Sequence, residues 1–121
     1  MRVKKVDIGF KSVEESLNDF VEAGKAIMRG EETLKREGVF FTDYEAFRKA
    51  LTPKRLELLR LIKENKPPSI HQLAKLAHRD VKNVHEDVRY LSQVGLVELS
   101  DTGPSISCRV GYDKIKLEIA V

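Results

Sequence analysis

The sequence predicts an α+β fold, mainly helical, arranged as a winged helix-turn-helix with an N-terminal strand, a long amphipathic helix and a C-terminal strand. Two observations carry this prediction. Residues 69–97 indicate a short capped helix, a tight turn and a longer helix that ends at a glycine. Residues 96–110 then indicate two short strands joined by a turn rich in Gly, Pro, Ser and Asp, which is the hairpin known as the wing.

Composition limits the broad class. The chain has 121 residues, 41% hydrophobic and 34% charged, which suits one domain or one domain with an appended helix. No apolar run approaches the ~18 residues of a membrane span, and residues 1–10 lack the apolar region of a signal peptide. The single cysteine, Cys108, fits a reducing compartment. We therefore expect a cytoplasmic protein without a membrane partner.

The N-terminal part, residues 1–38, is predicted to hold a strand at 3–10 and a helix that begins after Ser12. Apolar residues recur along this helix at steps of three and four, which places them on one stripe. The stripe either packs on its own domain or pairs with the same helix of a second chain. The candidate dimerisation residues are Val13, Leu17, Phe20, Gly24 and Ile27.

The remaining residues, 39–121, are predicted to form the winged helix-turn-helix domain and the C-terminal strand. Val39–Phe41 suggests a short buried strand, and Thr42 with Glu45 suggests a helix cap. Thr52-Pro53 begins the next helix, because proline suits the first helical turn. That helix is expected to end near Asn65. Its buried face is expected to comprise Leu56, Leu59 and Ile62.

Ser69 and Gln72 indicate the cap of the first helix of the motif, and His78-Arg79-Asp80 forms the turn. Asp80 is a good N-cap for the second helix, and Gly95 suits the left-handed position after it. The core-facing stripe of the second helix is predicted to be Val81, Val84, Val88 and Leu91. The opposite face is then expected to hold Lys82, Asn83, Glu86, Arg89, Tyr90 and Gln93.

The outward side chains of the second helix have the chemistry that recognises DNA bases, because Arg, Asn, Gln and Glu match the hydrogen-bonding edges in the major groove. Residues 53–95 also carry nine basic and five acidic groups, a net charge of +4. Bases are expected to contact Lys82, Asn83 and Glu86, and phosphates the residues of the preceding helix and turn. The full predicted set is Ser69, His71, Lys75, Arg79, Lys82, Asn83, His85, Glu86 and Arg89.

The hairpin is expected to contribute little to DNA contact. Its tip, residues 101–105, has one acidic residue and no basic one, and Arg109 is the nearby cation. After the hairpin, Ile115, Leu117 and Ile119 alternate as a final strand, which could pair with the N-terminal strand of its own chain or of a partner.

Three blocks of the sequence resemble a prokaryotic, largely archaeal, family of predicted winged helix-turn-helix transcriptional regulators related to the MarR group. The blocks are YEAFRKALTPKRLELLRLI at 44–62, SIHQLAKLAHRDVKNVHEDVRYLSQVGLVEL at 69–99 and YDKIKLEI at 112–119. The resemblance implies a dimeric regulator of double-stranded DNA. Some members are antitoxin-like, which implies a toxin-like protein partner. His78 stands where such motifs commonly have glycine.

Other functions have weaker support. The sequence has no Gly-rich phosphate loop, nucleophile elbow or zinc spacing, so we expect neither an enzyme nor a cofactor. His71, His78 and His85 recur every seven residues, but they fall on different predicted elements, so no metal site is expected. The alternative to a DNA-binding repressor is a winged helix that contacts protein, or an antitoxin-like component without strong DNA binding.

Overall fold

A computed structural model of the chain describes residues 4–31, 38–101 and 103–121, and it confirms the α+β class. The elements follow in the order β1 (Lys5–Phe10), α1 (Val13–Met28), β2 (Val39–Phe41), α2 (Tyr44–Ala50), α3 (Pro53–Asn65), α4 (Ile70–Ala77), α5 (Val81–Gln93), β3 (Glu98–Ser100), β4 (Ser107–Arg109) and β5 (Lys114–Leu117). Among these helices, none combines the length and the apolar character that a membrane crossing requires.

Two small sheets organise the strands. In the first, β1 lies between β2 and β5 and is parallel to both, with Ile8 opposite Val39 on one side and Leu117 on the other. The second is the antiparallel hairpin of β3 and β4. The C-terminal strand therefore pairs with β1 of its own chain. Residues on both sides of the boundary predicted at residue 38 share one sheet.

The outer face of the first sheet is partly covered by a single aromatic ring. A Cβ atom added at Gly9 would lie 3.2 Å from Phe40 Cε1, so the ring lies directly on the glycine. The Lys11 ammonium lies 4.1 Å from the centroid of the same ring. Because side chains alternate along a strand, Val39 and Phe41 enter the core while Phe40 stays 42% exposed. The expectation that this strand is buried throughout was wrong for Phe40.

The caps of α2 and α3 follow local hydrogen bonding. Asp43, and not the predicted Thr42, caps α2, because its carboxylate accepts the Ala46 N–H at 2.8 Å. Thr52 caps α3 as predicted, and Pro53 occupies the first turn. The buried residues of α3 are Leu58, Leu59 and Ile62. Leu59 and Ile62 are buried as predicted, whereas Leu56, expected on this face, is exposed and Leu58 is buried in its place.

The core forms where α3, α4 and α5 meet each other and the inner face of the first sheet. The largest fully buried side chains come from four elements, β1, α3, α4 and α5, and from the segment that follows α5. They are Ile8, Leu58, Ile62, Leu73, Leu91, Leu96, Val84 and Val88. This packing fixes α5 by one face and leaves the opposite face in solvent.

Hydrogen bonds from the segment between β4 and β5 connect the hairpin to the rest of the molecule. The Tyr112 hydroxyl donates a 2.9 Å hydrogen bond to the Leu96 carbonyl, and burial raises the pKa of Tyr112 to about 12. Burial also raises the pKa of the Cys108 thiol to about 11. Asp113 accepts from the Lys63 ammonium and the Lys4 N–H, which together lower the pKa of its carboxyl.

The long helix α1 begins as predicted, with the Ser12 hydroxyl accepting the Glu15 N–H. None of its residues is buried. Gly24 has no atom of the described chain within 4 Å of a Cβ built on it. Within residues 4–31, 38–101 and 103–121, the apolar stripe therefore does not pack on its own domain, against the first of the two interpretations.

Candidate nucleic-acid interface

Helix α4 is anchored at its N-terminus. The Ser69 hydroxyl caps it by accepting the Gln72 N–H at 3.2 Å, and the Ile70 N–H donates to the Ile106 carbonyl at 3.1 Å. The second bond connects α4 to the loop before β4. The Ser69 hydroxyl and the Ile70 N–H are both used in these bonds, so a phosphate at the N-terminus of α4 would meet mainly the exposed His71.

The turn between α4 and α5 is left-handed at His78, with φ 54° and ψ 45°. Histidine therefore takes the conformation that glycine would adopt most easily there. The Arg79 N–H donates to the Ala74 carbonyl at 3.1 Å, which closes the end of α4. Asp80 then caps α5 as predicted, since its carboxylate accepts the Lys82 N–H at 3.1 Å.

Helix α5 divides into a buried face and an exposed row. Val84, Val88 and Leu91 have no exposed surface. At about 100° per residue, the side of the helix opposite this stripe is occupied by positions i, i+4, i+7 and i+11. They are Lys82, Glu86, Arg89 and Gln93, and all are exposed. We call these four residues the α5 row. Asn83 is exposed beside the row, and His85 is half-buried at its other edge.

Arg79, which the sequence placed against phosphate, has a partner inside the molecule. Its guanidinium donates to Asp87 Oδ2 at 2.7 Å, and Arg55 Nε donates to Asp87 Oδ1 at 3.1 Å. The three side chains are only 17–21% exposed. We call Arg55, Arg79 and Asp87 the arginine cluster. It ties the turn and the first half of α5 to the start of α3.

Arg55 has two further roles that the sequence analysis missed. It donates to the carbonyls of Lys49 and Ala50 at 3.1 and 3.0 Å, which satisfies the end of α2. Its guanidinium also lies 4.2 Å from the centroid of the Tyr90 ring. Tyr90 is therefore half-buried, and its predicted place on the outward face was wrong. The sequence did contain one signal of an internal ion pair, the carboxylate of Asp87. It lies one turn before Leu91 and beside the buried stripe.

Uncompensated positive charge remains on the exposed side of α4 and α5. Within the described residues, Lys75, Lys82 and Arg89 take part in no ion pair, although all three are exposed. Glu86 lies between Lys82 and Arg89 on the α5 row without bridging to either. The surface thus offers long cationic side chains, one carboxylate and two amides on a rigid helix, a set able to donate to and accept from base edges.

The β3–β4 hairpin adds little to this charge. Arg109 lies 3.6 Å from the Glu98 carboxylate, and both side chains are more than 70% exposed. The tip, Asp101 to Ser105, has no cation. The three histidines do not converge: His71 lies on α4, His78 caps it and His85 lies on α5. In the described part of the chain no metal-binding group of three side chains was found.

Comparison with protein-family models finds a match to the C-terminal part of the chain. The family model described as HVO_A0114 matches residues 50–117, which is more than half of the chain. This segment contains α3, α4, α5, the hairpin and β5, and therefore every predicted DNA-contacting residue. Helix α1 lies outside it. No curated protein matches the sequence.

Proposed function

The chain belongs to the HVO_A0114 family, whose name specifies no activity. We propose that the protein is a sequence-specific regulator of transcription that binds double-stranded DNA. The succession α3, α4, α5 and the β3–β4 hairpin supports a winged helix-turn-helix assignment. In this assignment α5 enters the major groove. Repression is the mode we propose, because a bound domain of this size blocks access to a promoter.

The observation that carries the proposal is the α5 row. Four exposed polar side chains lie along one side of a helix whose other side is fully buried. A helix held this rigidly can present its side chains to a groove with little further ordering, which keeps the entropic cost of binding low. The arginine cluster strengthens the same effect, since it fixes the turn from which α5 begins.

Each side chain of the surface has a specific role in this proposal. Arg89 donates to guanine, Asn83 pairs with adenine and Glu86 accepts from the cytosine amine. Lys82, near the start of α5, reaches a base edge or the adjacent phosphate. Lys75 and His71 on α4 contact phosphates, and Ser69 supports them as the α4 cap. Arg79 acts by positioning α5 through Asp87.

The test begins with selection of duplexes from a random pool by the full-length protein. Binding of the selected duplex is then measured by fluorescence anisotropy over a range of salt concentrations. If three to four phosphates are neutralised, the logarithm of the association constant should fall with a slope of about −3 against the logarithm of the salt concentration. Absence of duplex binding at low salt would refute the proposal.

A protein-contacting winged helix is the second candidate, with an antitoxin-like role as one form of it. Two observations favour it: Glu86 lies in the middle of the α5 row, and the hairpin tip has no cation. An acidic protein partner, such as a toxin, would then bind the same surface. The selection from a random pool distinguishes the candidates, because only a sequence-specific DNA-binding protein enriches one base sequence.

A further inference from the structure

Helix α1 presents its apolar side to solvent. Six large apolar side chains along it are between 49% and 89% exposed. They are Val13, Leu17, Phe20, Val21, Ile27 and Met28. Monomeric proteins rarely expose large contiguous apolar patches. The largest such patch on a typical monomer is about 300–600 Å² and is often functional. The stripe therefore requires a covering surface.

The described residues do not supply that surface, since α1 meets the rest of the described chain through its polar side and one edge of the stripe. The Asp19 carboxylate pairs with the Lys11 ammonium, which in turn lies over the Phe40 ring. Ala23 and Ala26 are the half-buried residues of α1, and at 100° per residue Ala26 lies opposite the stripe while Ala23 lies at one edge of it. The helix is thus turned with its apolar side outward.

We propose that the stripe is covered by α1 of a second copy of this chain, with the two helices antiparallel. Charge along one edge of the stripe favours this arrangement. Glu14 and Lys25 lie on the same edge, near opposite ends of the helix, while Ser16 and Ala23 occupy the other edge. In an antiparallel pair with two-fold symmetry, like edges meet, so each Glu14 faces a Lys25 of the other copy. In a parallel pair the charged edge would face Ser16 and Ala23.

The sizes of the side chains on the stripe fit the same arrangement. If Leu17 lies opposite Gly24 of the second copy, a large side chain fills the space above a residue that has none. Glu14 and Lys25 of the two copies are then offset by about 3 Å along the axis, within reach of their long side chains. Lys25 lies 3.6 Å from Glu22 in its own helix, and such an exposed pair is weak enough to exchange.

A membrane surface fits the helix less well. Amphipathic helices that bind membranes usually carry Lys and Arg on the polar face. The polar face of α1 carries Glu14, Glu15, Asp19 and Glu22 against Lys25, so an anionic bilayer would repel it. Stable protein interfaces bury about 1,200–2,000 Å² in total. Each copy would contribute one 16-residue helix to this interface, so the dimer should depend on concentration.

The test is the mass of the full-length protein in solution, without DNA, by sedimentation equilibrium over a wide concentration range. The wild-type chain should move from monomer to dimer. The double variant Leu17→Asp, Phe20→Asp should remain monomeric, whereas Asn18→Asp, off the stripe, should dimerise like the wild type. Since no α1 residue is buried, these variants should keep the wild-type far-ultraviolet circular dichroism of the domain. A wild-type monomer at all concentrations overturns the proposal, as does a dimer that Leu17→Asp, Phe20→Asp leaves intact.

Charge exchange tests the direction of the helices. Glu14→Lys alone and Lys25→Glu alone should each weaken the dimer about tenfold, because like charges then meet at both ends. A mixture of the two variants should form a heterodimer at least as stable as the wild type. If the mixture does not associate more strongly than either variant alone, the antiparallel arrangement is wrong.

Gly24→Ala provides a variant in which stability and association should change in opposite directions. Alanine is the better helix former, so the thermal midpoint of the isolated chain should rise or stay unchanged. The added methyl group should displace Leu17 of the second copy and weaken the dimer several-fold. A stronger dimer would overturn the packing proposed at Gly24. None of these measurements involves DNA, so their outcome is separate from that of the DNA-binding test.

Discussion

Arg79 donates a 2.7 Å hydrogen bond to Asp87 across the turn that joins α4 to α5. The same carboxylate accepts from Arg55 at 3.1 Å, while Arg79 Nη1 is buried without a hydrogen-bond partner in the described chain. Arg79 therefore depends on this one carboxylate. The pair fixes the entry of α5 from a position beside its apolar stripe, so the direction of the helix is set by charge as well as by packing.

Replacing Asp87 with asparagine should reduce the free energy of unfolding by about 2 kcal/mol, because two half-buried guanidinium groups lose a charged acceptor. Urea unfolding of the full chain measures this loss. Glu86→Gln is the matched control: Glu86 is exposed and outside the cluster, so its loss should stay within about 0.5 kcal/mol. Equal effects of the two substitutions would show that the cluster contributes nothing specific.

Replacing Arg89 with alanine should weaken binding of the selected duplex by about 1–3 kcal/mol and relax the preference at one base position. Lys75→Ala should instead weaken binding to all duplexes alike and reduce the salt slope by about one. Fluorescence anisotropy with selected and scrambled duplexes separates the two effects. Lys116→Ala, exposed on the outer face of the first sheet, is the control and should leave affinity unchanged.

Gly95→Ala should destabilise the protein by about 1–2 kcal/mol. Gly95 has φ +92°, where a Cβ is strained, although the nearest atom to an added Cβ is at an ordinary 3.7 Å. The cost is therefore conformational and not steric, and thermal unfolding measures it. His78→Gly should have the opposite sign, with a gain of up to about 1 kcal/mol, because His78 already adopts a left-handed conformation. Loss of stability in His78→Gly would instead indicate that the imidazole makes a necessary contact.

Alkaline pH should destabilise the fold through Tyr112 and Cys108. Burial raises the pKa of Tyr112 from 10.0 to about 12 and that of Cys108 from 9.0 to about 11. Each group is neutral in the folded chain, so its contribution is complete below the lower value and is lost as the pH rises toward the higher one. Urea unfolding at successive pH values should show the decline beginning near pH 9.

The variant Tyr112→Phe separates the two groups. It should lower stability at neutral pH by about 1 kcal/mol, through loss of the hydrogen bond to the Leu96 carbonyl. Its further decline at high pH should be smaller than in the wild type, because only Cys108 then titrates late. An unchanged alkaline profile would mean that Tyr112 is not coupled to folding.

Much of the fold was predictable, because the signals were local. Ser12, Thr52, Ser69 and Asp80 each cap the helix that follows, since a cap depends only on a side chain and an N–H two or three residues away. The buried stripe of α5 was predictable for the same reason. Asp43 took the place of Thr42, because α2 begins at Tyr44 and the carboxylate of the residue just before it accepts the Ala46 N–H.

The site was predictable in part. The exposed positions of Lys82, Asn83, Glu86 and Arg89 follow from the period of the helix. The ion pair of Arg55 with Asp87 and the cover over Tyr90 do not, because Arg55 reaches these two residues across 32 and 35 residues of chain. Contacts at such separations depend on how α3 packs against α5, and no local pattern contains that information.

The helices, their caps and the side chains that α5 exposes follow from the sequence alone, because each depends on neighbours within one or two helical turns. Only the tertiary structure shows that β5 pairs with β1 of its own chain and that Arg55 and Arg79 share Asp87. It also shows that α1 turns its apolar stripe outward. An amphipathic pattern specifies that a helix has an apolar side, but the direction in which that side faces depends on how the helix packs in the fold.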